Sequence, residues 1–200
     1  MATKLQATVD DVLRLSAAGE RCELIDGELV PMSPTGAEHG EIVIYAGWVF
    51  SNHVLPRKLG RIFGGEVLFR LNSEGTLARA PDLAFVRRER LRGVDLTGPF
   101  KGAPDLAVEI VSPGDSAGDI QRKVKTWLAH GTLAVLLIYP DSQSVVLWRD
   151  SGVGHLTEAN DVVDLDPALP GFHCRVRELF PPPLEEPDTQ GDDVRPAHSG

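Results

Sequence analysis

Apolar positions along the chain follow two rhythms, and the switches between them lay out the elements. Val12, Leu13 and Leu15 follow Thr8 and the acids Asp10 and Asp11, a helix start with an acid at the third helical position; Gly19 ends that helix near Ala18. Cys22-Glu23-Leu24-Ile25 and Glu28-Leu29-Val30 flank Asp26-Gly27, whose ready positive φ values predict a tight hairpin. Ile42, Tyr45, Val49 and Phe50 recur at helical spacing, so a long amphipathic helix is predicted over Ala37 to Leu55, closed by residues 56–60.

Strand patterns follow. Arg61 to Leu71 and Leu77 to Val86 predict two strands of a meander joined by Asn72-Ser73-Glu74-Gly75, with Gly64-Gly65 marking a bulge or close approach. Leu106 to Val111 is too short for a helix, contains Val108, Ile110 and Val111, and predicts a buried strand ended by Ser112-Pro113-Gly114. A helix over Ala117 to Ala129 carries Ile120, Val124, Trp127 and Leu128 on one face and stops at Gly131. Leu133 to Tyr139 predicts another buried strand, Ser144 to Arg149 an outer one, and two short strands are expected near Leu156 and Val162. Pro167 to Phe180 is expected to be a closing loop or short helix end.

These elements make one α/β (or α+β) domain over residues 1–180: a mixed central sheet flanked by the Ala37 and Ala117 helices, preceded by an N-terminal helix and β-hairpin. Two hundred residues with 42% hydrophobic and 24% charged content suit a single globular core. Residues 181–200, opening Pro181-Pro182-Pro183, lack apolar content and are expected to be a disordered acidic tail.

Charge and cysteine usage narrow the function classes. The net charge is −9, of which the tail holds −4, because Glu185, Glu186, Asp188, Asp192 and Asp193 stand against Arg195. That argues against a basic, nonspecific nucleic-acid coat, yet an acidic body can hold an acidic site that recruits Mg²⁺. Cys22 and Cys174 show no CxxC spacing and fit reduced thiols better than a zinc site or disulfide framework. No signal-peptide run or membrane-length apolar stretch is present, so a cytoplasmic location is expected, with no membrane partner. The absence of a P-loop and of a GxSxG elbow argues against a nucleotide cofactor and a serine hydrolase.

The chemistry is concentrated where acids interrupt apolar strands. Glu109 lies inside Leu106 to Val111, where a carboxylate is costly to bury without a partner or cation. If the strands starting near Asp82 and ending near Val111 pair antiparallel, Asp82 falls opposite Glu109, with Cβ atoms roughly 4.5–5.5 Å apart. Asp105 shares the Glu109 face but sits roughly 13 Å along the strand at ~3.3 Å per residue, too far to share one ion. Asp119 and Lys123 are i,i+4 neighbours on the next helix, and the connection folds Lys123 back over the strand end. Two carboxylates with Mg²⁺ and an ammonium make a recipe for phosphodiester hydrolysis. The plain alternative is a metal-free pair of acids bridged to Arg79 or Lys123. His39, without a second histidine at ligand spacing, is expected to be a surface or satisfied histidine, and Trp127 a packing residue. The run Arg87 to Arg92 is either a phosphate grip or a solvated loop.

Glu23 through Val30, Pro81-Asp82-Leu83-Ala84, Pro104 through Glu109, Ser112-Pro113, Asp119 and Lys123 together resemble the Uma-two family of restriction endonucleases, within the PD-(D/E)XK nuclease superfamily. The resemblance implies a restriction-endonuclease-like fold and a Mg²⁺-dependent deoxyribonuclease, with Mn²⁺ as an alternative ion and DNA as substrate. It maps the two metal ligands onto Asp82 and Glu109. The superfamily lysine two residues after the glutamate is replaced by Val111, and Lys123 takes that role. An acid on the first core helix assists the metal, with Glu38 preferred over Glu41. Symmetry of two-strand cutting suggests a homodimer. The rival reading is a nuclease-like fold that binds nucleic acid or protein and cleaves nothing.

Overall fold

A computed structural model describes residues 6–65, 67–149 and 152–183; the expected tail lies outside the described residues from 184 onward. Helix α1 (Val9–Ala17) starts where expected, because the Thr8 amide and hydroxyl both donate to the Asp11 carboxylate, at 2.8 and 3.0 Å. Strands β1 (Cys22–Ile25) and β2 (Glu28–Pro31) form the predicted hairpin, with Asp26 at φ 50° and Gly27 at φ 79° in its turn. Helix α2 (Ala37–Arg57) runs two residues past the expected end and closes on Lys58 in the left-handed region, φ 56°.

The two strands of the expected meander are instead each divided between two sheets. Its first strand breaks at Gly65, φ 73°, into β3 (Gly60–Gly64) and β4 (Phe69–Arg70). Its second breaks around Pro81, which has no amide to give a ladder, into β5 (Ala78–Arg79) and β6 (Leu83–Arg87). β3 pairs with β6 and β4 with β5, both antiparallel but in different sheets. β7 (Phe100–Lys101) joins β4 in parallel, and β8 (Leu106–Ile110) pairs with β6. Helix α3 (Ala117–Ala129) then crosses to β9 (Ala134–Tyr139), which lies parallel to β8.

β10 (Ser144–Arg149) was expected at the edge but is covered by β11 (Gly154–Thr157), whose Gly154 lets the Trp148 ring lie directly against the backbone. The expected closing loop contains a strand: β12 (Val162–Asp164) pairs with β13 (His173–Arg175), followed by a 3-10 turn over Val176–Leu179. The result is a six-stranded mixed sheet, β11-β10-β9-β8-β6-β3, a five-stranded sheet, β2-β1-β5-β4-β7, and the small hairpin.

The six-stranded sheet is covered on both faces, which is why its strands show continuous apolar runs. Leu83, Phe85, Leu106, Val108 and Ile110 face Ile42, Ala46, Phe50 and Val54 of α2, with Phe172, Val176 and Leu179 completing that layer. The alternate positions Ala84, Val86, Ala107, Val135 and Leu137 face Val124 and Trp127 of α3 and the Phe69–Phe100 cluster. Glu109 belongs by alternation to this second face. The tightest point is Gly60, where an added Cβ would sit 2.1 Å from the Val86 carbonyl oxygen. Gly60→Ala is therefore expected to destabilise the fold by about 1–3 kcal/mol, seen as a lower urea midpoint with an unchanged slope; an unchanged midpoint would refute this close approach.

Candidate active site

β6 and β8 run antiparallel with Leu83 opposite Val108 and Ala84 opposite Ala107, so one further step sets Asp82 opposite Glu109. Asp82 precedes the first residue of β6, and its carboxylate turns to the end of β8. There Oδ2 accepts the Ile110 amide at 2.7 Å, satisfying a backbone donor where the pairing with β6 runs out. Oδ1 takes Nε2 of His39 at 3.0 Å, and the other ring nitrogen lies 3.3 Å from the Ser112 hydroxyl. This hydrogen bond to Asp82, opposed by partial burial and aided by the charges of Asp82, Asp115 and Glu109, raises the His39 pKa above its ordinary value.

Glu109 lies on the α3 side of β8, with its side chain 6% exposed. Its Oε2 accepts Lys123 Nζ at 3.0 Å and its Oε1 accepts the indole N–H of Trp127 at 2.9 Å. Burial pushes its pKa up to about 7, with the Lys123 ammonium pulling down and the charges of Asp82 and Glu23 pushing up. For Lys123, burial works against the ammonium, but the carboxylates of Glu109, Glu23 and Asp82 outweigh it and raise its pKa. Lys123 therefore stays cationic.

Local helix chemistry frees Lys123 for this role. Ser116 caps α3 by accepting the Asp119 amide at 3.1 Å, and Asp119 pairs with Arg122 on the outer face. Asp119 thus sits at the helix start, paired outward, and Lys123 turns inward. Arg79 goes elsewhere too. Instead of bridging Asp82 or Glu109, it pairs with buried Glu23 at 2.7 Å, and the second Glu23 oxygen accepts the Ala80 amide at 3.1 Å.

Asp105 stands at the opposite end of β8. It accepts the Arg87 amide at 2.9 Å and pairs with Arg90 at 3.0 Å, so part of the basic run is committed to holding the strand entry, while Arg88 and Arg92 remain exposed. Glu38 is exposed on the first turn of α2, and among the described residues no hydrogen bond or ion pair joins it to Asp82 or Glu109. Asp82, Glu109 and Lys123 come together; Glu38 does not join them by direct contact.

Two contacts escaped the sequence reading. His39 shares a helical stripe with the buried Ile42, Ala46 and Phe50, whereas Glu38 is rotated about 100° off it. That periodicity is a signal for His39 facing the sheet. Trp127 does pack, fully buried, but its indole also donates to Glu109, and no spacing in the chain marks that bond.

A family model, Uma2, described as "Putative restriction endonuclease", matches residues 9–177. The chain belongs to the Uma2 family. This Uma2 chain also shares its fold with a solved structure from Anabaena variabilis ATCC 29413, described as a "putative nuclease belonging to DUF820". The two are 26% identical, with a TM-score of 0.72, over 86% of this chain and 97% of that one. No curated protein matches the chain. The Uma2 match spans every residue of the cluster, from Glu23 to Trp127. Among the described residues no helix is long and apolar enough to cross a membrane.

Proposed function

We propose that the chain is a metal-dependent endonuclease hydrolysing phosphodiester bonds in DNA, with Asp82 and Glu109 holding Mg²⁺, or Mn²⁺ in its place. The observation that carries this is the contact of the Lys123 ammonium with Glu109 at the strand end where Asp82 also lies. Family membership and the nuclease fold of the Anabaena variabilis protein support it.

The donor set suits such an ion. Both carboxylates offer hard oxygen ligands, and each oxygen with one protein donor keeps a second lone pair. Among the described residues no three His, Cys, Asp or Glu side chains form a closed metal cage. An ion held by the two carboxylates would take water and phosphate oxygens at its other positions. A bound ion would polarise the phosphate and lower the pKa of its water.

The chain's own residues do the rest. Lys123, held cationic by its acidic neighbours, orients the attacking water by hydrogen bonding and offsets the growing phosphoryl charge; it does not serve as the proton acceptor. His39 fixes the Asp82 carboxylate and sets its direction. Trp127 does the same for Glu109 from below. Glu38 is assigned no direct contact with the ion.

That each Glu109 oxygen already accepts one protein donor favours one rival, an inert nuclease-like module. Plasmid nicking with Mg²⁺, with Mn²⁺ and with chelator, run beside calorimetric metal titration, separates them. The nuclease reading expects cleavage only with metal, and binding in the millimolar range or tighter. DNA binding with neither cleavage nor metal uptake would establish the inert module.

A further inference from the structure

The ion pair of Glu23 with Arg79 is buried on both sides, at 5% and 4% exposure, and nothing above assigns it a role. β1 and β5 run antiparallel with Leu24 opposite Ala78, so one further step sets Glu23 opposite Arg79, and β4 adds Phe69 to the same row. Leu24 and Ala78 pack with Val9 and Val12 of α1. The alternate row, Glu23–Arg79–Phe69, therefore looks the other way, toward α3, where the Phe69 ring meets Trp127 with centroids 6.2 Å apart. Trp127 in turn donates to Glu109.

A buried ion pair is a costly way to join two strands, since apolar residues of like volume do it as well or better. Here the cost is higher, because among the described residues Arg79 Nε has no hydrogen-bond partner. What the pair adds is the second Glu23 oxygen, which accepts the Ala80 amide at 3.1 Å. Ala80 lies between β5 and β6, where the chain leaves one sheet for the other, two residues before Asp82. Pro81 stands between them. Its ring fixes its own φ and confines the residue before it to extended conformations, so the link from the Ala80 amide to Asp82 is stiff.

We propose that Glu23 is a positioning residue for Asp82: by holding the Ala80 amide it sets the Ala80-Pro81-Asp82 step, and with it the Asp82 carboxylate against the Ile110 amide and His39. Buried as it is, Glu23 acts through the backbone and not on substrate, and Arg79 keeps its charge matched. Its outlook agrees with this placement: after Glu109, Glu23 is the acid that most favours the Lys123 ammonium, ahead of Asp82. The inference rests on the metal-dependent reading only for what Asp82, once placed, goes on to hold.

Two double variants of the full chain separate positioning from plain support of the sheet. Glu23→Gln/Arg79→Met removes both charges and keeps an amide oxygen for Ala80, whereas Glu23→Leu/Arg79→Met removes that acceptor as well. Both should stay folded by circular dichroism, because the two charges leave together; if the leucine is not accommodated, Glu23→Ala/Arg79→Met takes its place with the same expectation. The ring-nitrogen NMR signals of His39, read without metal, report its bond to Asp82. They should match the wild type in the Gln variant and become those of an imidazole without that bond in the Leu variant. Mg²⁺ titration should follow them, unchanged for the first and about tenfold or more weaker for the second. Wild-type His39 signals in the Leu variant, or their loss in the Gln variant, would each overturn the proposal. A wild type that takes up no Mg²⁺ would sink the nuclease reading instead, and the His39 signals would still decide what places Asp82.

Discussion

Asp82→Asn is expected to abolish metal-dependent DNA cleavage, by about a thousandfold or more, while the protein stays folded. Three decades in rate correspond to about 4 kcal/mol of transition-state stabilisation, within what a held divalent ion supplies. The substitution removes a charge and keeps the shape. An amide oxygen can still accept the Ile110 N–H, so the end of β8 stays capped. Its NH₂ group then faces Nε2 of His39, which must become the acceptor, leaving the ring proton on the Ser112 side. The hydrogen bond that chiefly raises the His39 pKa would be lost, so the imidazole should titrate lower than in the wild type. Plasmid cleavage, metal titration and histidine NMR on one preparation make the check. Full cleavage with a lowered His39 pKa would show that Asp82 holds the histidine and no ion.

The strand end that carries this prediction was legible in the sequence, and the reason is local. Asp82 and Glu109 sit in or beside short apolar runs, and Ser112-Pro113 settles where the Glu109 strand stops. Antiparallel pairing then brings the acids to one end without further information. The α3 helix was equally readable, since its cap, apolar face and Gly131 stop all lie within sixteen residues of one another. The split of two long strands between two sheets was not. Whether β4 continues β3 is decided by what packs there, Phe69 against Phe100 and Trp127, and those contacts span many residues. The same holds for the ion pairs. Arg79 and Lys123 each had two acids within sequence reach, and only the tertiary placement of Glu23 on β1 gives Arg79 to Glu23 and leaves Lys123 to Glu109.

Lys123→Met tests that allocation through stability alone, with no need for cleavage. The methionine keeps an apolar stem but removes the one cation that, among the described residues, touches Glu109, whose side chain is 6% exposed. Stranding one partner of a deeply buried pair costs about 3–5 kcal/mol. Lys123 is 35% exposed at its side chain, so solvent screening reduces the expected loss to about 2 kcal/mol. The loss must also depend on pH. Unfolded, Glu109 titrates near 4.5; folded, burial raises it to about 7 with the ammonium beside it, and higher without it. A raised carboxyl pKa means the folded state holds its proton more tightly, so its stability penalty grows as pH rises from the unfolded to the folded value. Below about 7 the carboxyl is neutral in wild type and variant alike, and the ammonium has little to neutralise. Urea unfolding should therefore show a small difference at pH 5 that opens as pH rises through about 7. The double variant Glu109→Gln/Lys123→Met should lose that pH dependence, since neither group remains to titrate. Equal losses at pH 5 and pH 9 would mean that Lys123 contributes by packing, and that the strand end gains nothing from its charge.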